Sequence, residues 1–254
     1  MNMTDTDDDT LSRSAYKLNT NTHIILESVP SNFATGCSTG WMTWNASVVL
    51  CDYLEQHQST LIHNQHVADL SSGNGLVAVC LASLSSTSVV ATETKDCTAL
   101  TQQNVNLNKV DDKTTVHEYY WGKSHPNPCL ACSLVTFCDL LYIAIRDSLE
   151  EELEQTIREL CTNNTCTLYF AFEQRLGEEE DSFMARLQEP SVAGGGGLSV
   201  VQIANEHLNL ARLGPVDDTS LEALLYIPPI IKLYTIASSE NTPTPASLSS
   251  SSTD

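Results

Sequence analysis

The stretch DLSSGNGLVAVC, Asp69 to Cys80, constrains this chain most. A short apolar run ends in a turn that holds two glycines, and a second apolar run starts at once. Such a strand, tight turn and helix is the opening unit of a nucleotide-type α/β fold. Gly73 and Gly75 let the backbone turn sharply and come close to a ligand. A helix starting at Leu76 would point its positive end at that ligand.

The rest of the chain repeats the alternation. The spacing predicts a helix over Ala46 to Leu54 with Asn45 as N-cap, a strand over 66–70 and a helix over 76–84. It continues with a strand over 88–92, a helix over 95–108, and strands over 114–119 and 134–138. A helix over 147–161, a strand over 166–172, a helix over 178–187 and strands over 199–204 and 230–236 complete the series. This order implies a mainly parallel sheet with helices on both faces and an antiparallel strand at its end. Ligands in such folds sit at the carboxyl ends of the strands, so the loops after Leu70, Thr92 and Cys138 are the candidate site.

The 254 residues suffice for one domain. Residues 1–15 are polar and acidic and read as a disordered tail. Residues 238–254, rich in Ser, Thr and Pro, read as another, and the domain spans 16–237. Gly194 to Gly197 reads as a loop. The 32 acidic and 12 basic residues give a net charge of -20, which disfavours nucleic acid and anionic membranes as partners. No apolar run reaches the roughly 18 residues of a membrane span. Nine cysteines without a framework pattern suggest free thiols in a reducing compartment, cytoplasmic or also nuclear. Cys129 and Cys132 form a single CxxC, and no second ligand pair at zinc spacing accompanies it, so no metal is expected. His57, His63 and His66 read as surface histidines.

The turn fits several cofactors, and Asp69 discriminates among them. A carboxylate beside a pyrophosphate is repulsive, whereas S-adenosylmethionine carries an ammonium and a sulfonium and no phosphate. Glu93, about 20 residues after the loop at a strand end, suits both hydroxyls of a ribose. Asp139 follows the apolar run LVTFC at another strand end, where ligands bind.

The segments GWMTWNASVVLCDYLE, VADLSSGNGLVAVCLASL, VVATETKDCTALTQQNVNLN, YYWG, CDLLY followed by SLEEELEQTI, and AFEQR occur in that order. Together they resemble the seven-β-strand protein lysine methyltransferases of the methyltransferase-like group, most closely those acting on valosin-containing protein. The resemblance runs from about Gly40 to Ala237 and is thin over 205–229. It implies a seven-stranded Rossmann-like sheet, S-adenosyl-L-methionine as cofactor, and transfer to a lysine of a protein substrate, with a chaperone-like ATPase among the candidates. It also implies a monomer. By the same resemblance Trp44, Asp69, Ser71, Gly73, Gly75, Glu93, Trp121 and Cys138 would hold the cofactor. Asp139 and Tyr142, in D-x-x-Y, would form the catalytic mouth of a lysine channel, and Glu173 would lie near it. Asp139 is expected to orient the amine. Ser71 stands where relatives have a glycine, Ile143 where they often have a second tyrosine, and Phe172 where they have the tyrosine of Y-E-x-R. Three other readings remain: a cofactor fold kept as a binding module, a methyltransferase for a non-protein acceptor, and an NAD-linked oxidoreductase.

Overall fold

The computed structural model describes residues 12–18, 22–28, 39–84, 86–122, 126–162, 166–190, 196–213 and 229–239. Its strands are β1 (Ser12–Lys17), β2 (His23–Ser28), β3 (His66–Leu70), β4 (Ser88–Glu93) and β5 (Thr114–Glu118). They continue with β6 (Leu134–Cys138), β7 (Thr167–Glu173), β8 (Leu198–Gln202) and β9 (Ile231–Ser238). The helices are α1 (Asn45–Gln56), α2 (Gln58–Leu61), α3 (Leu76–Ser83), α4 (Thr98–Leu107), α5 (Leu140–Arg146), α6 (Glu150–Thr162) and α7 (Glu178–Gln188).

Seven strands form one sheet in the order β5-β4-β3-β6-β7-β9-β8. All neighbours are parallel except β9, which runs antiparallel to both β7 and β8. The expected Rossmann-like sheet with an antiparallel last strand is therefore present. Strand order reverses between β3 and β6, which opens a crevice at their carboxyl ends. The central strands are apolar on both faces because helices cover both. On one side α1, α3 and α4 close a core around Leu50, Leu54, Val79 and Leu81. On the other, α5, α6 and α7 close a core around Phe137, Phe170, Leu153 and Ile157.

Several boundaries differ from the sequence reading. Residues 12–15, assigned to the acidic tail, belong to β1, which pairs with β2 as a separate two-stranded sheet. Ile24 and Leu26 are fully buried at alternate positions of β2, and that apolar contact holds the pair to the domain. Residues 1–11 lie outside the described residues, as do 191–195 of the glycine-rich loop, 214–228 of the thinly covered region, and 240–254 of the C-terminal tail. Ser238, assigned to that tail, ends β9. Helix α1 starts at Asn45 with Trp44 as N-cap and no side-chain cap bond, so Asn45 is not the cap. Its amide instead donates to Glu173 Oε2 at 3.1 Å. Helix α4 starts at Thr98, later than expected, because Glu93 captures the Thr94 amide and the chain turns first. The helix expected from 147 begins at Glu150 as α6, after Ser148 with a φ of 56°, and α5, Leu140–Arg146, was not expected at all.

Candidate active site

The crevice widens into a cavity of about 500 Å³. Of the residues singled out from sequence, Trp44, Asp69, Ser71, Gly73, Glu93, Trp121, Cys138 and Asp139 line it. Gly75, Tyr142 and Glu173 do not. Gly75 lies behind the turn at the start of α3, with a φ of 88°, and a Cβ there would sit 3.4 Å from Thr101 Cγ2. Gly73, also at positive φ, faces the carbonyl of Gly40, 3.1 Å from where its Cβ would be. These two positions require glycine for different reasons, one for the helix start and one for close approach of two chain segments.

Five carboxylate residues line the cavity: Asp69, Glu93, Asp139, Asp147 and Glu152. No lysine or arginine does among the described residues. Asp69, at 2% exposure, receives a hydrogen bond on Oδ1 from Thr136 Oγ1 at 2.8 Å, while its Oδ2 has no partner among the described residues. Burial pushes its pKa up to about 7, against the hydrogen bond from Thr136. Such an acid is only partly ionised near neutrality unless a cation arrives. The cavity is therefore suited to a positively charged ligand and unsuited to a pyrophosphate.

Glu93 is already engaged. Its Oε1 accepts the Gly73 N–H at 3.0 Å, and its Oε2 accepts the Thr94 N–H at 2.5 Å and Thr94 Oγ1 at 3.1 Å. Burial raises its pKa, against the bonds from Thr94 and Gly73. An ionised carboxylate offers about four acceptor sites, so three are filled. A contact to both hydroxyls of a ribose requires the Thr94 hydroxyl to swing away.

Ser71 adopts the left-handed conformation expected of the glycine it replaces, with a φ of 56°. Its hydroxyl accepts a hydrogen bond from Trp121 Nε1 at 3.0 Å. Gly122 behind it packs on Glu152 and donates to Thr156 Oγ1 at 3.1 Å. The YYWG segment is thus clamped between the glycine turn and α6. Burial raises the Cys138 thiol, and that side chain serves as cavity wall.

At the other end, Asp139 caps α5 with a φ of 54°. Its Oδ1 accepts the Glu173 N–H at 2.8 Å and Arg175 Nη1 at 3.1 Å, while Oδ2 is buried without a partner among the described residues. Burial raises its pKa, opposed by the Glu173 amide and the Arg175 guanidinium. Arg175 also bonds Glu173 Oε2 at 3.2 Å, and its guanidinium lies 5.1 Å from the Trp44 ring and 5.6 Å from the Tyr142 ring. Arg175 therefore joins the WNA, DLLY and FEQR segments, although the sequence reading gave it no role. The signal was present, since Glu173 and Arg175 sit two apart at a strand end and so share a side. Asn74, Thr94 and Tyr120 also line the cavity and were missed. Ile143 lines it as well. Phe172 does not: it is buried in the core, stacked on Tyr234. No group of three or more metal-ligating side chains occurs among the described residues.

Comparison with known proteins agrees with this geometry. The family model described as "Lysine methyltransferase" matches residues 29–190, more than half of the chain. The chain belongs to the lysine methyltransferase family. As a family member with this sheet, it is an S-adenosylmethionine-dependent protein lysine methyltransferase. EEF1A lysine methyltransferase 3 of Mus musculus is 29% identical over 162 residues, which are 63% of this chain and 67% of the mouse protein. A "Protein N-terminal and lysine N-methyltransferase EFM7" of Candida albicans is 26% identical over 90 residues, 33% of this chain and 34% of that protein. Neither is named for valosin-containing protein. Among solved structures, PH0793 of Pyrococcus horikoshii, a candidate transferase, aligns with a TM-score of 0.52 at 14% identity, over 91% of this chain and 74% of that one. The candidate RNA methyltransferase PH1948 of the same organism aligns with a TM-score of 0.50 at 11% identity, over 80% of this chain and 91% of that one. At such identities the two share the fold alone.

Proposed function

We propose that the cavity holds S-adenosylmethionine, with its methionine end at Asp69 and the glycine turn and its adenosine toward Glu93 and Trp121, and that a protein lysine enters beside Asp139. The observation that carries this reading is the lining: five carboxylates, no base among the described residues, and an unpartnered buried oxygen on both Asp69 and Asp139.

When bound, the cofactor supplies a methyl group activated on a sulfonium. The chain supplies the setting. Asp69 Oδ2 holds the ammonium, which restores the carboxylate's ionised form. The Gly73 turn lets the backbone approach, and Trp121, fixed by Ser71, walls the adenosine side. Asp139 Oδ2 accepts from the lysine amine and orients its lone pair. Free lysine has a pKa near 10.4, so the apolar walls formed by Trp44, Leu140 and Ile143 favour the neutral amine that transfer needs. Tyr142 and Glu173 act from outside the cavity by holding Arg175 in place.

The substrate is a protein that bears the target lysine. The mouse relative's name points to elongation factor 1A as one candidate, and the motif resemblance points to a chaperone-like ATPase as another. The described cysteines are free thiols, which suits a cytoplasmic or nuclear location. No described helix is long and apolar enough to cross a membrane.

Calorimetric titration with S-adenosylmethionine and, in parallel, NAD tests the cofactor. Purified elongation factor 1A and a purified chaperone-like ATPase are then incubated with radiolabelled cofactor, and labelled peptides are mapped by mass spectrometry. Saturable binding of S-adenosylmethionine alone and label on a lysine are expected. Binding of NAD, or no binding by folded protein, overturns the cofactor assignment. Label on neither protein overturns both named substrates.

A further inference from the structure

Behind the wall of the cavity's acceptor end lies a cation that does not line it. Arg175 bonds Asp139 and Glu173 and lies between the rings of Trp44 and Tyr142. It is held there by more than its side chain. Glu180, fully buried, accepts the backbone N–H groups of Arg175, Leu176 and Gly177, all at about 3.1 Å, and so fixes the turn that carries it.

The charges around it can be enumerated by element. From α1 come only the neutral Trp44 and Asn45. From β6 and α5 come Cys138, Asp139, Tyr142 and Arg146, the last paired with Asp147 at 2.7 Å. From β7 comes Glu173. From α7 come Glu178 and Glu179, both exposed in its first turn, Glu180, spent on three amides, and Asp181, paired with Lys232 of β9 at 2.5 Å. The carboxylates in contact with Arg175 are therefore Asp139 and Glu173, with Arg175 between them. Two carboxylates alone would hold an incoming lysine as its ammonium, which has no lone pair to donate.

We propose that Arg175 sets the charge of the acceptor site: from behind the cavity wall it cancels one of the two carboxylates at that end, Asp139 in the lining and Glu173 behind it, so that the entering amine gives up a proton to solvent at Asp139 Oδ2. This rests on the lysine-transfer reading above. The ammonium N–H bond breaks, the proton passes to bulk water, and the freed lone pair forms the N–C bond as the S–C pair returns to sulfur. A guanidinium within a few ångströms shifts a neighbouring amine by about one unit, so its removal moves the rising limb of the rate profile to higher pH by that amount. Arg175 is a positioning and charge-setting residue, distinct from Asp139, which touches the amine.

The test is the pH–rate profile of wild type, Arg175→Gln, Arg175→Lys and Glu173→Gln on whichever of the two purified proteins the wild type labels, with cofactor affinity measured in parallel. Arg175→Gln is expected to be about tenfold slower at pH 7.5, with its limb displaced upward by about one unit and its rate recovering at high pH. Arg175→Lys should restore the wild-type profile. Glu173→Gln, which removes a negative charge, should move the limb the other way, and this arm stands even where Arg175→Gln does not bind cofactor. Equal loss at every pH in Arg175→Gln, failure of Arg175→Lys to rescue, or an unmoved limb in Glu173→Gln overturns the proposal while leaving lysine transfer intact. A wild type that labels neither protein overturns lysine transfer on these substrates, and with it this role.

Discussion

Ser71 accepts a hydrogen bond from Trp121 Nε1 at 3.0 Å while holding a φ of 56°. The pair explains why a serine stands at a position whose backbone favours glycine. The left-handed conformation costs a non-glycine residue about 1 kcal/mol, and a half-buried hydrogen bond returns about 1 kcal/mol. Ser71→Gly should therefore leave the melting temperature within a few degrees of wild type, whereas Ser71→Ala keeps the strain, loses the bond and should be about 1 kcal/mol less stable. Both should weaken cofactor binding, because Trp121 loses its tether. Thermal unfolding and calorimetric titration of the two variants decide it. A Ser71→Gly variant that binds more tightly than wild type would remove the tether from the argument.

Asp69 makes cofactor affinity depend on pH. Its pKa is raised by burial to about 7, well above the unfolded value near 3.9. In the ligand-free protein its contribution to stability is thus full below pH 4 and is lost as pH rises through 7. Cation binding needs the ionised form, so affinity should rise as pH increases toward 7 and level off above it, with a proton released on binding below 7. Titrations at several pH values in buffers of different ionisation heat measure both effects. Asp69→Asn should bind weakly with a flat profile, and a wild-type affinity that does not change between pH 5.5 and 7.5 would sink the assignment.

How much of this was legible in the sequence depends on range. The strand, turn and helix around Asp69 were readable because hydrophobic period and glycine placement are local. The convergence of Asp69, Glu93 and Asp139 followed from strand ends in a parallel sheet. Arg175 was visible as a residue and opaque as a role, since its partners Trp44 and Tyr142 lie far away in sequence. Strand β1 was misread because SRSAYK is polar and mostly exposed, and nothing local marks a strand whose only partner is β2. Helix α5 was missed because it is only seven residues long and follows β6 directly, and α6 starts later than expected because Ser148 carries a positive φ without being glycine.

Asp139 should separate binding from chemistry, given the right substitution. Asparagine tolerates the left-handed φ of 54° and can still accept from Glu173 and Arg175 through its oxygen. Alanine does neither and leaves the Glu173 amide unpaired, at a cost of about 1–3 kcal/mol. Asp139→Asn is expected to fold and bind cofactor like wild type while methyl transfer drops about 100-fold or more. Asp139→Ala should lose transfer and also melt earlier. Full activity in Asp139→Asn would exclude the carboxylate from orienting the amine.

Asn104 ties the β1–β2 pair to the cofactor turn. It is fully buried on α4. Its Oδ1 accepts the Glu27 N–H at 2.8 Å, and its Nδ2 donates to Glu27 O at 2.9 Å and to Asn74 O at 2.8 Å. Asn108, one helical turn on, treats Ile25 alike, with its Oδ1 taking the N–H at 2.8 Å and its Nδ2 reaching the carbonyl at 2.6 Å. The two amides thus stand in for a neighbouring strand along β2, and Asn104 extends that ladder to the turn beside Gly73. Asn104→Ala leaves two carbonyls and an N–H without partners, about 1–3 kcal/mol of lost stability. Asn104→Asp should be worse than alanine, because a carboxylate oxygen replaces the donor and faces both carbonyls. Unfolding midpoints order the two variants, and cofactor titration reads the loosened turn. If Asn104→Asp proves as stable as Asn104→Ala, the donor to Glu27 and Asn74 carries no weight, and the strand pair and the cofactor turn are independent.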